Sequence, residues 1–324
     1  MIWLLVAAVL IIVAVVMIVR MPGRSFRGSP PPLRPPQLAL REALRRDVAV
    51  LAGDIGERNV FHPRAYAHAA DFIEQSLREA GCAVSRQTFE VEGVTCANIV
   101  AELRGRSDEI VILGAHYDSV DGSPGADDNA SGVAALLALA RAFATAQPRR
   151  TLRFVAFANE EPPYFRTAQM GSWLYARRCR EANDNIAAMI TLESLACFSD
   201  APHSQDYPAM FEHVYPDQAN FIAFAANVGS RALLRRVVDT FRAHASVPSE
   251  GAALPEEVAG VAWSDQWAFW QFGYQAVMVT DTALFRNPTY HSAADTPETL
   301  DYDRFALVVE GLEAVVEELL SSRA

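Results

Sequence analysis

Residues 110–132 read IVILGAHYDSVDGSPGADDNASG. Ile110–Ala115 is a continuous apolar run without alternation, which is how a strand covered on both faces reads. It runs straight into His116-Tyr117-Asp118-Ser119, and the Gly-rich, acidic stretch 125–132 then leads into a helical pattern over Ser131–Ala144. Strand, polar loop and helix in that order make the opening half of an α/β unit. The same grammar recurs downstream. Leu152–Ala158, Ile186–Leu192 and Ala276–Thr282 are further short apolar runs, separated by helical patterns at Gly171–Ala182 and Ser230–Ala245 and followed by Tyr302–Leu320. Upstream, Leu40–Leu51 and Pro63–Gly81 keep helical spacing, and Ala83–Val91 with Asn98–Leu103 reads as a hairpin. The expected fold is therefore α/β, a three-layer sandwich around a mixed, mostly parallel sheet, with function at the carboxyl ends of the strands.

Those strand ends carry one kind of residue. The first delivers His116, the second Asn159-Glu160-Glu161, the third Glu193, and the fourth, after a short loop, Tyr290-His291-Ser292. Taken singly, each has a bland reading. A lone His after a strand is usually a capped or surface residue, Asp127-Asp128-Asn129 could cap the following helix, and Glu160-Glu161 could be a solvated pair. Imidazoles and carboxylates gathered at one rim of a sheet instead make a borderline-to-hard metal site suited to zinc. The other histidines (His62, His68, His203, His213 and His244) have no such context and read as structural or surface residues.

Composition narrows the choice of partners. The net charge of −11 leaves no basic footprint for nucleic acid. All 28 basic residues are Arg, so no Schiff-base or P-loop lysine exists. Of the four cysteines, Cys82 and Cys96 flank the hairpin and are the pair a disulfide would join if the domain is exported; free thiols are the alternative.

Ile2 to Val19 carries no charge, and eighteen helical residues span ~27 Å, close to the hydrocarbon thickness of a bilayer. No basic start precedes the run and no small-residue cleavage site follows it, so it reads as an uncleaved single-pass anchor over residues 1–20. Arg20, Arg24, Arg27 and Arg34 on its carboxyl side would place the domain in the cytoplasm. Residues 21–37, rich in Pro, Gly, Ser and Arg, read as an extended spacer that adds nothing to the core, and residues 38–324 as one folded domain.

The chain resembles the zinc-dependent aminopeptidases of the bacterial leucyl aminopeptidase and aminopeptidase Y type, whose relatives include glutaminyl cyclases and folate-hydrolase carboxypeptidases. The resemblance runs from about Ala83 to the C-terminus. It rests on His116-Tyr117-Asp118-Ser119, the 125–132 block, Glu160-Glu161, Ser264-Asp265 and Tyr290-His291. It implies two zinc ions bridged by Asp128, one completed by His116 and Glu193 and the other by Glu161 and His291. It also implies Glu160 as general base, Asp118 as the acid orienting the His116 imidazole, and a cis peptide after Asp128. Tyr290 and Asp265 become candidates for the substrate pocket, and the implied substrate is a peptide with a free amino terminus. Such enzymes are often exported, which opposes the charge rule and leaves the side of the membrane open.

Elementary chemistry agrees with these roles. Two metals ~3.5–4 Å apart need a short bridging acid, and a neighbouring carboxylate must carry the proton from water to the leaving amine. Pro162 confines Glu161 to extended geometry, as suits a rigid ligand. Three departures from the family pattern stand out: Glu at 193 in place of Asp, a longer segment from Glu161 to Gly171, and Gln266 where many relatives have His. The competing readings are a glutaminyl cyclase with one metal and a non-catalytic interaction domain. The complete set of ligands and base speaks against the latter.

Overall fold

The computed structural model describes residues 20–208 and 211–322. Two helices, α1 (Pro35–Val48) and α2 (Pro63–Glu79), precede strands β1 (Ala83–Val91), β2 (Val94–Leu103) and β3 (Glu109–His116). Then come α3 (Gly132–Phe143), β4 (Thr151–Phe157), α4 (Gly171–Glu181), β5 (Asn185–Glu193) and β6 (Ile222–Asn227). The chain closes with α5 (Arg231–His244), β7 (Ser249–Leu254), α6 (Gln266–Gln271), β8 (Ala276–Thr280) and α7 (Tyr302–Ser321).

All eight strands form one mixed sheet in the order β1-β2-β4-β3-β5-β8-β6-β7. Its centre, β4-β3-β5-β8, is parallel, while β1, β2 and β4 pair antiparallel and β6 runs antiparallel to β8. The unbroken apolar character of β3 follows from its place: Ile110 to His116 are all buried between helical layers. Because the central strands run the same way, their carboxyl ends share one rim.

Strands β6 and β7 and the six-residue helix α6 escape the sequence reading. β6 and β7 are short and Ala- or Gly-rich, with little β-branched content to mark them. In β6 burial alternates, with Ile222 and Phe224 buried while Ala223 and Ala225 are less so. The Phe224 ring meets Phe241 of α5 at 5.0 Å, so Ala223 and Ala225 face the opposite side. That small-residue face becomes the floor of a pocket. All four cysteines are free thiols, with no Cys82–Cys96 bridge.

The expected anchor, apart from Arg20, falls outside the described residues. Among the described residues no helix is long and apolar enough to cross a membrane.

The segment 21–37 departs from a free spacer. Met21 is 7% exposed and belongs to the core, packed under Gly251 of β7, where a side chain would collide with it. Ser25 Oγ accepts from Ser249 N at 2.8 Å, and Arg235 and Arg242 of α5 donate to the carbonyls of Arg20 and Pro22. The prolines prevent regular structure from Pro30 to Pro32 but favour a helix start at Pro35 and Pro36, three residues before the expected domain boundary. Gln37 then donates to Glu310 of α7. Proline-rich composition forbids a packed element of its own but not attachment to someone else's.

Burying a Met side chain stabilises by ~1.5–3 kcal/mol. Deleting residues 1–37 is therefore expected to lower the thermal midpoint by about 5 °C or more, whereas deleting residues 1–19 leaves it within ~2 °C. Thermal unfolding of both truncated forms measures the difference, and equal midpoints would return the segment to the role of passive spacer.

Candidate metal centre

β3 ends on His116, β4 feeds Asn159-Glu160-Glu161, and β5 ends on Glu193. Asp128 arrives from the loop between β3 and α3, and His291 from the loop after β8. The structure brings all of these together. Asp128 stands between two imidazoles, with Oδ1 3.2 Å from His116 Nε2 and Oδ2 3.1 Å from His291 Nε2. Glu193 Oε2 lies 3.3 Å from the same His116 nitrogen, and Glu161 Oε2 lies 3.2 Å from His291 Nε2. Two ligand clusters, His116–Asp128–Glu193 and Asp128–Glu161–His291, share one carboxylate, and His116, Glu160 and Glu161 form a third group between them. Glu160 Oε2 stands further back, 3.9 Å from His116 Nε2.

The donor chemistry fits zinc: one imidazole nitrogen and carboxylate oxygens per cluster, at mutual distances that a central ion would bridge. A second sign is Glu161 Oε1, which is buried without a hydrogen-bond partner among the described residues. An orphaned buried carboxylate oxygen is costly unless a cation is meant to meet it.

The bridging loop is held from several sides. Gly125 adopts φ +59°, and a Cβ there would strike the Asp128 carbonyl; a Cβ on Gly132 would strike the Asn129 side chain and the Leu192 carbonyl. Asn129 Nδ2 donates to Leu192 O at 2.9 Å, and Asn129 Oδ1 accepts from Ser194 N at 3.1 Å, tying the loop to the end of β5. The Asp128–Asn129 peptide is cis.

Two supporting residues gave no signal in the sequence. The Asp295 carboxylate accepts from Asp127 N at 2.9 Å and Asp128 N at 3.1 Å. Arg58, fully buried, donates to the carbonyls of Leu51, Gly56, Tyr117, Pro124 and Gly125. Burial lowers its pKa to about 10, so it remains a cation beneath the acids. An isolated Arg in a polar stretch and an Asp in an irregular loop carry no periodicity or motif to mark them.

Three expected roles shift in detail. The Asp118 carboxylate lies 3.6 Å from His116 Nδ1, while its own carbonyl lies at 3.1 Å and is the nearer partner. A carbonyl there puts the proton on Nδ1 and leaves the Nε2 lone pair for a metal. The carboxylate instead accepts from Glu160 N at 3.1 Å and Glu161 N at 3.0 Å, aiming that pair. Tyr290 lines the pocket beside the ligands and stacks on His291 at 3.8 Å. Asp265 does not line the pocket. It is fully buried at the start of α6, and the neighbouring Ser264 reaches the site by donating to Glu193 Oε2 at 2.6 Å. Gln266 is likewise buried and holds the Val261 carbonyl at 3.0 Å.

Electrostatics reflect this crowding. Burial pushes Glu160 well above the usual carboxylate range, helped by Glu161, Glu193 and Asp265. Burial and the Asp128 charge raise Glu161 to about 8. Burial alone would lower both imidazoles, but the acids around them outweigh it. They hold His116 well above its ordinary value and His291 at about 10. Burial opposes the Asp128 charge too, yet the two imidazoles hold that carboxyl well below its ordinary value.

Residues 98–316 match Peptidase family M28. The chain belongs to that family. It is similar to YfbL of Escherichia coli (strain K12), 34% identical over 286 residues that cover 86% of this chain and 88% of that one. It is also similar to a probable leucine aminopeptidase of Trichophyton verrucosum, 30% identical over 281 residues, covering 81% and 68%. Among solved structures, the Bacillus subtilis zinc aminopeptidase BSAP superposes with a TM-score of 0.70 at 15% identity, covering 87% of this chain and 95% of that one. The Fimbriiglobus ruber glutaminyl cyclase superposes with a TM-score of 0.63 at 17% identity, covering 92% and 99%. At such identities the superpositions speak for the fold, and the M28 match makes the chain a zinc metallopeptidase.

Zinc must displace the protons that the metal-free M28 site holds. The acids around His116 and His291 raise both imidazole pKa values, His291 to about 10, which favours their protonated forms while no metal is bound. Affinity is therefore expected to rise with pH from 6 to 8, with about one to two protons released per site filled. Calorimetric titration of the metal-free protein in buffers of different ionisation enthalpy measures this. An affinity independent of pH would contradict the protonated site.

Proposed function

We propose that this M28 peptidase is an aminopeptidase that removes N-terminal residues from peptides with two zinc ions at the centre. The observation that carries the reading is Asp128. Its two oxygens face different imidazoles, each with its own carboxylate companion, as a bridging ligand requires. The ions, when bound, supply Lewis acidity and lower the pKa of water.

The chain's own residues supply the rest. Glu160 is the proton carrier: its Oε2 lies 3.9 Å from His116 Nε2, farther than the Asp128 and Glu193 oxygens, and Asp118 holds its main chain. Burial raises its pKa above that of an ordinary carboxyl, the direction in which a proton carrier is tuned. Glu161, rigid before Pro162, holds metal. The acidic rim suits the α-ammonium of a free amino terminus, and the pocket beside Tyr290 suits the first side chain. Free-amine substrates should react and N-acetylated ones fail; equal turnover of both would remove the aminopeptidase reading.

Glu160→Gln is expected to lower kcat by ~10²–10⁴-fold while zinc content is retained. Glu161→Gln should instead lose zinc from the site shared with His291 and regain part of its activity in excess metal. Metal analysis alongside turnover separates the two, and the reverse pattern would exchange their roles. The glutaminyl cyclase fold neighbour keeps a second reading alive. One zinc per active chain, with cyclisation of N-terminal Gln, would favour it.

We also propose that residues 1–20 hold the domain to a membrane as a single-pass anchor. The support is their uncharged run and the fastening of the chain to α5 directly after it. Deletion of residues 1–19 should then move the protein from the membrane fraction to the supernatant.

A further inference from the structure

Beside the metal centre a pocket with a free volume of about 140 Å³ opens over β8, β6 and β7. Strand register lays out its floor. Glu193 of β5 pairs with Thr280 of β8, Thr280 with Ala223 of β6, and Ala223 with Glu250 of β7. Paired residues point to the same face, so these four make a row across the sheet, with a metal ligand at one end and a carboxylate at the other. Neighbouring strands stand ~4.8 Å apart, which puts about 14 Å between the two ends. Between them the floor is low: Ala223, and in the next row Ala225 and Ala252.

Glu250 is unusual within this pocket. The other polar groups at that end are committed, Tyr207 OH donating to Pro216 O and Tyr215 OH to Gly251 O. The Glu250 side chain is 26% exposed, and among the described residues its carboxylate accepts no hydrogen bond. Its nearest cation, Arg242, stays 3.7 Å away and donates to Ser249 Oγ, Ser249 O and Pro22 O. Asp239, one turn earlier on α5, also acts on Arg242. Glu250, Arg242 and Asp239 together carry one net negative charge. Burial raises the Glu250 pKa and Arg242 opposes the rise, as for an acid short of partners.

We propose that Glu250 is the specificity-determining residue of this pocket and that the preferred substrates begin with lysine or arginine, whose cationic end meets its carboxylate. The proposal rests on the aminopeptidase reading for its substrate. An extended lysine reaches about 6 Å from Cα to ammonium. With its α-amine at the metal end and hydrogen-bonding distances at both ends, it fills the row. Its methylene stem lies over Ala223 and Thr280, with the aromatic residues Tyr207 and Phe285 also lining the way.

Lysine and norleucine differ by the ammonium and little else, so the wild-type full chain, loaded with zinc, already tests the idea. The p-nitroanilide of lysine is expected to exceed that of norleucine about 10- to 100-fold in kcat/KM, the range for a charge-assisted contact. Glu250→Gln should bring that ratio to within about 3-fold while norleucine turnover changes less than about 3-fold. Norleucine handled as well as lysine by the wild type, or a variant slowed equally on both, overturns the proposal. Competition binding of lysine and norleucine hydroxamates gives a readout that does not need turnover. A Glu250-dependent preference for the lysine compound without hydrolysis of either anilide would sink the aminopeptidase reading and leave the pocket assignment standing. No preference in binding or turnover would overturn the assignment itself.

Discussion

Carboxylates do not remain buried side by side unless positive charge is supplied among them, and the centre of this molecule follows from that constraint. Asp128, Glu160, Glu161 and Glu193 are all buried within one rim of the sheet. Two imidazoles are shared among them, and a fully buried guanidinium sits beneath the bridging loop. Removing a cation from such a cluster would leave the acids to repel one another or take up protons, at a cost of several kcal/mol. Zinc, which the family implies, would supply that charge directly. The local geometry of Gly125, Asn129, Asp295 and Asp118 is explicable as a frame that keeps the acids close while the charge is supplied.

The sheet gives that frame its stiffness. Parallel central strands bring His116, Glu161 and Glu193 to one edge without long excursions, and the loop carrying Asp128 is stitched to β5 through Asn129. Main-chain donors do much of the orienting: the Asp118 carboxylate aims two adjacent glutamates through their own amides. Such main-chain hydrogen bonds hold the acids of the site in place on regular elements of the fold.

Much of this was legible in the chain before any coordinates. Central strands covered on both faces read as unbroken apolar runs, and three of the four led directly into a histidine or an acid, so His116, Glu161 and Glu193 stood out by position. What stayed silent was whatever acts through space. Arg58 and Asp295 support the loop from remote, irregular segments, and nothing in their neighbours marks them. β6 and β7 hid because small residues, needed for an open pocket floor, weaken the strand signal. Asp265 misled in the opposite sense: it sits in a recognisable block, yet its neighbour Ser264 is the residue that touches Glu193.

The attachment of Met21 has a geometric meaning of its own. A loose spacer spanning residues 21–37 would let the domain wander ~20 Å from its origin and turn freely. With Met21 seated under Gly251 and Ser25 bonded to Ser249, that freedom is gone at the first described residues. The chain therefore enters the described part of the domain already fastened along the β7 edge. Five residues of irregular chain thus decide where on the domain the segment before them begins, beside the strand that forms the far edge of the pocket floor.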